Sequence, residues 1–130
     1  MKRLAFNKRF VDFVNSDLQK GKIHTIRQSY DYWKRFEGKE VALFTWDGKP
    51  YQKGSKQKVF CVKKIVSVQE VELRFDKLGA YFSTYKGIVD ARTLYKNDGF
   101  INLSDAYLWF CIGDYKPGKM AIIHFTDFKY

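Results

Sequence analysis

Apolar residues recur along this chain in three patterns, helical, alternating and continuous. Residues 3–6 make a short apolar lead-in that predicts a strand. Phe10, Val11, Val14 and Leu18 then follow at helical spacing, with Lys8, Arg9, Asp12, Asn15, Asp17 and Gln19 on the opposite side. Asn7 is placed to cap that helix and Gly21 to stop it, so an amphipathic surface helix is expected between them. Residues 41–46 form a continuous apolar run bounded by Gly38 and by Asp47 and Gly48, which reads as a buried strand followed by a turn. Residues 59–75 read as one long bent strand or two short ones; inside them Val71, Leu73 and Phe75 alternate with Glu72 and Arg74. Leu78 and Gly79 break that pattern, and residues 81–85 fit either a short strand or a loop.

Two helices are expected later. Asp90 can cap one running through Leu94 and Tyr95, which Asn97, Asp98 and Gly99 close. The other starts near Asn102 or Ser104, places Leu103, Tyr107, Phe110 and Cys111 on one face, and ends at Gly113. After a turn at Lys116, Pro117 and Gly118, residues 119–125 form a last strand. The order of elements gives an α+β fold with a small, mostly antiparallel sheet. Short apolar strands of this kind favour a barrel, in which no long edge stays open.

Composition narrows the class. A length of 130 residues fits one domain, residues 1–130, around a single core. Aromatic residues make up 18% of the chain, enough to fill a core and leave rings to line a groove. The balance of 24 basic against 14 acidic residues gives a net charge of +10, which favours polyanionic partners, nucleic acid before anionic membrane. Cys61 and Cys111 each lie in an apolar run and read as small buried hydrophobes in a reducing compartment, with no disulfide. They and His24 and His124 fall in four separate places, so no metal site or cofactor is expected. Nothing approaches the roughly 18 consecutive apolar residues of a membrane span, and the opening apolar stretch is too short for a secretory signal. A soluble, cytoplasmic protein is expected.

The chemistry concentrates at Gly21, Lys22, Ile23, His24, Thr25, Ile26 and Arg27. An ammonium, a hydroxyl and a guanidinium fork together suit an anion or a polar planar ligand. In an extended strand Thr25 and Arg27 share a face while Lys22 points away. Lys22 joins them only if the chain turns near Gly21, which glycine makes cheap. A helix end followed by an ordinary strand with solvated charges fits the same residues. Further along, Tyr32, Trp33, Lys34 and Arg35 interleave rings and cations, which suits stacking and phosphate contact or, equally, rings folded inward. Between Lys49 and Gln69 there is no acidic residue. Lys53, Lys56 and Lys58 there are candidate phosphate contacts on a basic loop, or the solvated tip of a hairpin. His24 reads as a partly buried histidine with a backbone partner. His124 is expected to face away from Ile123 and Phe125, a position that also allows it to form a pocket wall.

Residues 21–27 resemble the signature of ASCH domains, a branch of the PUA-like barrels, in which a glycine, a lysine, a threonine and an arginine follow the first helix. Lys8 through Leu18 is similar to that family's leading helix, Asp98, Gly99 and Phe100 to its late acid-glycine-phenylalanine stretch, and residues 122–128 to its closing strand. The resemblance spans most of the chain. It implies a PUA-like, mostly antiparallel barrel with a leading helix and two later helices packed against it, and a pocket that handles RNA or a modified nucleobase. Members that hydrolyse N4-acetylcytidine imply Thr25 as nucleophile, Lys22 as its assistant and the residue at Asp98 in acid-base steps. Asp98 departs from the pattern, being one methylene shorter than the family's glutamate.

Three readings follow. The first is an RNA- or nucleotide-binding domain with a pocket around residues 21–27. The second is an amidohydrolase acting on N4-acylated cytosine nucleosides through Lys22, Thr25 and Asp98. The third is a ribonuclease, for which the sequence identifies no metal-binding carboxylates and no histidine pair. The sequence leaves the oligomeric state open.

Overall fold

A computed structural model of the chain describes residues 1–11, 21–77, 79–113 and 115–130. Among them the fold is α+β, with two sheets. The first contains β1 (Lys2–Ala5), β3 (Glu40–Asp47) and β4 (Lys56–Lys64), in the order β1-β3-β4. The second contains β2 (His24–Gln28), β5 (Ser67–Asp76), β6 (Gly79–Thr84), β7 (Gly87–Ile88) and β8 (Gly118–His124), in the order β2-β8-β5-β6-β7. Every ladder is antiparallel except β1 with β3, which is parallel.

The strands form where the pattern places them. β3 is the continuous apolar run, and Val41, Ala42, Leu43 and Phe44 are all buried. β8 is central in its sheet and buried on both faces from Met120 to His124, which accounts for its unbroken apolar sequence. Residues 59–75 resolve into parts of two strands, because the chain breaks at Ile65 and Val66 and crosses from one sheet to the other. Ile65 N donates to Lys39 O at 2.9 Å on one side of that crossing, and Val66 N to His124 O at 2.9 Å on the other. One apolar cluster draws on both sheets, with Leu4, Val41 and Leu43 from the first and Ile26, Val71, Leu73, Phe82 and Ile122 from the second.

Three helices are described: α1 (Tyr30–Lys34), packed on β5 and β8, then α2 (Ala91–Asn97) and α3 (Leu103–Ile112). Their caps follow sequence chemistry. Asp90 accepts from Thr93 N at the start of α2, and Asn102 accepts from Asp105 N at the start of α3. Asn7 likewise accepts from Arg9 N, opening a 3-10 turn at Lys8–Phe10. The remainder of the expected leading helix, with Val14 and Leu18, lies outside the described residues.

Several expectations need correction. α3 buries Ala106 and Phe110, whereas Leu103 and Tyr107 are exposed and Cys111 lies at the surface. The helical spacing was right, but the stripe is narrower than the apolar positions suggested. Cys61 is half-buried rather than buried, because β4 is an edge strand of its sheet. Phe75, the last of the alternating trio in β5, is 39% exposed, so the buried face ends at Leu73. Both cysteines are free, and among the described residues no helix is long and apolar enough to cross a membrane.

Candidate functional site

Lys22 leaves the extended course that would point it away from Thr25. Residues 21–23 bend before β2 begins, and Ile23 N is tied to Asn97 O at 2.8 Å. This bond fixes the bend against the end of α2, where Asp98 sits. The Lys22 ammonium then donates to Asp98 Oδ1 at 2.8 Å and to the Asp98 main-chain carbonyl at 2.7 Å. Its alkyl stem runs along Gly99, and its charge lies 4.6 Å from the centre of the Phe10 ring. Gly99 has a φ of +90°, and a Cβ there would come 3.0 Å from Lys22 Cβ and 3.2 Å from Phe10 Cδ1. Backbone angle and space both call for glycine at this turn.

Thr25 and Arg27 share one face of β2, as period two requires. Arg27 Nε donates to the Thr25 hydroxyl at 3.2 Å. Its Nη2 donates to the main-chain carbonyl of Ala5 on β1, so the guanidinium joins the edge of one sheet to the edge of the other.

These groups line one cavity of about 300 Å³. Lys22, Thr25, Arg27 and Asp98 supply its polar wall, and Phe6, Phe10, Trp109 and Tyr115 supply aromatic walls. Pro50, from the β3–β4 connection, closes one side. Trp109 Nε1 donates to the Tyr115 hydroxyl at 3.1 Å and fixes those two rings together.

A second layer lies behind Asp98. His24 is fully buried, with Nδ1 3.2 Å from Asp98 Oδ1 and Nε2 2.7 Å from the Tyr130 hydroxyl. Asp98 accepts from Nδ1–H, so Nε2 accepts from Tyr130, whose oxygen in turn accepts from Asn97 Nδ2 at 3.2 Å. The expectation of a partly buried His24 is corrected to full burial, and two side chains join the backbone hydrogen bond expected of it. His124 is equally buried, its Nε2 3.0 Å from Gln69 Oε1 and its Nδ1 without a partner among the described residues.

Burial sets the electrostatics. It pulls Lys22 below the ordinary lysine value, opposed by the charge and hydrogen bond of Asp98 and reinforced by the Arg27 cation. Burial also lowers His24, against the pull of Asp98. His124 falls to about 3, from burial first and then from its neighbours His24 and Lys129. Tyr115 is raised by burial, partly offset by its bond from Trp109 and by Arg27.

The other candidate residues lie elsewhere. Tyr32, Trp33, Lys34 and Arg35 belong to α1 and the turn after it, and none lines the cavity. The Tyr32 hydroxyl accepts from Lys2, and Trp33 and Phe36 pack toward the core, which favours the inward reading of those rings. Lys34 is paired with Glu37 at 2.7 Å, and Arg35 stacks over Tyr32. Lys53, Lys56 and Lys58 are exposed on and beside the β3–β4 connection. The sequence did not single out Phe6, Trp109, Tyr115 or Tyr130 for the site, since aromatic residues in apolar surroundings carry no local mark of what they face. Among the described residues no group of three or more His, Cys, Asp or Glu is arranged to hold a metal ion.

No family model matches the chain, and neither a curated protein nor a solved structure does.

Proposed function

We propose that this chain is an ASCH-type domain that binds RNA or a nucleotide by receiving one base in the cavity at residues 21–27. The observation that carries this reading is the convergence of Lys22, Thr25, Arg27 and Asp98 on one concave site walled by aromatic rings. About 300 Å³ is the lower end of the range for small-molecule pockets, room for a planar polar ring and not for a duplex. Aromatic walls suit the faces of a base, and the hydroxyl and ammonium suit its edge. Two of the three Lys22 donors go to Asp98, which leaves the third for a ligand. In the same reading the two sheets are halves of a PUA-like barrel. The crossing at Val66 and the bond from Arg27 to Ala5 support that closure, because they tie both edges of the first sheet, β4 and β1, to the second.

Equilibrium binding tests the proposal. Cytidine, uridine and their monophosphates are titrated against wild type and a Thr25→Ala variant. Saturable binding that Thr25→Ala weakens is the expected outcome. Binding that ignores Thr25, or is absent for every base, sinks the reading. RNA affinity should also fall with salt, since phosphate contacts release counterions.

A second reading is favoured by the 2.8 Å contact of Lys22 with Asp98 beside Thr25. In an N4-acylcytidine amidohydrolase, the Thr25 hydroxyl attacks the acyl carbonyl and passes its proton to a neutral Lys22, whose burial lowers the cost of that form. The tetrahedral oxyanion draws on Arg27. Lys22 returns the proton to the departing amine, and water then hydrolyses the acyl ester on Thr25. The short aspartate is no obstacle here, because it acts by holding Lys22 rather than by reaching the substrate. Release of acetate from N4-acetylcytidine by wild type and not by Thr25→Ala supports this chemistry; equal rates exclude it.

A further inference from the structure

The β3–β4 hairpin carries an aromatic pair that the core does not explain. Beyond Asp47 and Lys56, the last residues in register, the connection turns back through Pro50 and Tyr51. Pro50 lines the cavity, so the hairpin tip borders the site. The Tyr51 ring lies against Trp46, centroids 5.0 Å apart and planes inclined by 56°. Trp46 is half-buried and rests edge-on against Phe44 in the core at 5.7 Å. One member of the pair is therefore anchored, while the other faces water.

Two features of Tyr51 stand out. It is 91% exposed, so contact with Trp46 removes little of it from solvent. Its φ is +60°, a left-handed conformation that costs a bulky L-residue free energy. Packing does not compensate that cost, because most of the ring is wet. Backbone outliers of this kind gather at ligand sites, where a partner uses the geometry they hold.

Charge and twist point the same way. Lys49 and Lys53 are exposed on the same connection as Tyr51, and no acidic residue occurs between Lys49 and Gln69. Lys56 and Lys58, paired with Asp47 and Thr45, lie on the face of the hairpin opposite Trp46. Within the ladder Leu43 pairs with Cys61 but Phe44 pairs with Val59, so Phe60 is an extra residue on β4. Such a bulge increases twist and redirects the arm beyond it.

We propose that Trp46 and Tyr51 form a second stacking subsite, for the nucleotide next to the one whose base fills the cavity, and that the ligand is therefore single-stranded nucleic acid. This rests on the cavity being a base site. Pro50 and Tyr51 are consecutive, so the two subsites adjoin, and Lys49 and Lys53 on the same connection meet the phosphates of the strand that joins them. Stacking on an open ring tolerates any base, while the cavity discriminates.

Titrations of wild type, Tyr51→Asn and Tyr51→Phe with cytidine monophosphate and with a short oligocytidylate test the proposal. Asparagine tolerates the left-handed backbone, so Tyr51→Asn removes the ring without adding strain. Wild type should bind the oligomer more tightly than the monophosphate. Tyr51→Asn should lose on the order of tenfold for the oligomer and nothing for the monophosphate, with Tyr51→Phe behaving as wild type. The proposal is overturned if Tyr51→Asn binds the oligomer like wild type, if it loses both ligands equally, or if no oligomer binds. Oligomer binding that depends on Tyr51 but not on Thr25 would instead remove the cavity reading while leaving the stacking site in place.

Discussion

Lys22 holds Asp98 twice, through the carboxylate at 2.8 Å and through the main-chain carbonyl at 2.7 Å. The second bond survives any substitution at position 98, so the lysine keeps its place when the acid is changed.

Asp98→Asn removes the charge that offsets the buried ammonium. We expect a loss of about 3 kcal/mol, the low end for a half-broken buried pair, because the carbonyl still accepts. Lys22→Met combined with Asp98→Asn should be more stable than Asp98→Asn alone. Urea unfolding of the double-mutant cycle checks this; additive losses would show that the pair is not coupled.

Stability should fall in mild acid. The unfolded chain takes up a proton on His124 near the ordinary value of 6.5, whereas the folded chain resists until about 3. The folded pKa is depressed, so the unfolded state binds more protons throughout that window and stability declines as pH drops through it. The slope approaches about 1.4 kcal/mol per pH unit for this group, and His24, lowered in the same direction, steepens it. Urea midpoints between neutral pH and mild acid should flatten in His124→Asn; unchanged curvature would assign the acid sensitivity elsewhere.

Gly99→Ala should cost about 1–2 kcal/mol from the left-handed backbone alone. The added Cβ also presses on Lys22 and Phe10, so ligand affinity should drop together with stability. Calorimetry beside a binding titration separates the two effects; a variant as stable and as tight as wild type would contradict the packing described at this turn.

Arg27→Lys keeps the charge but gives up the fork that spans Thr25 and Ala5. The loss should be about 1.5–3 kcal/mol, as for hydrogen bonds from charged groups. Hydrogen exchange should quicken at the β1 end, at Phe6 N in particular, which is bonded to Phe44 O. Exchange there unchanged from wild type would mean that β1 is held without the guanidinium.

Local patterns carried much of the fold. The apolar run of β3, the turn at Asp47 and Gly48, and the cap Asp90 are each decided by neighbours a few residues away and were readable. The start of α3 narrows to Asn102 or Ser104 in the sequence, and the structure settles on Asn102. The split of residues 59–75 at Ile65 was not, because both flanks are apolar and only the pairing partners Lys39 and His124 mark the crossing. The parallel pairing of β1 with β3 has no local signature either. At the site, period two gave the shared face of Thr25 and Arg27. The partnership of His24 with Asp98 and Tyr130 links positions 74 and 106 residues apart, which no spacing rule within a segment can reveal.

The Lys22–Asp98 contact joins positions 76 residues apart. Closing so long a loop sacrifices chain entropy before any reward arrives, and contacts of high sequence separation slow folding for that reason. The pocket is consequently assembled only when both ends of the domain have come together. A nascent or partly collapsed chain can hold its hairpins but not this cavity, so under the proposed function binding competence serves as a readout of completed folding.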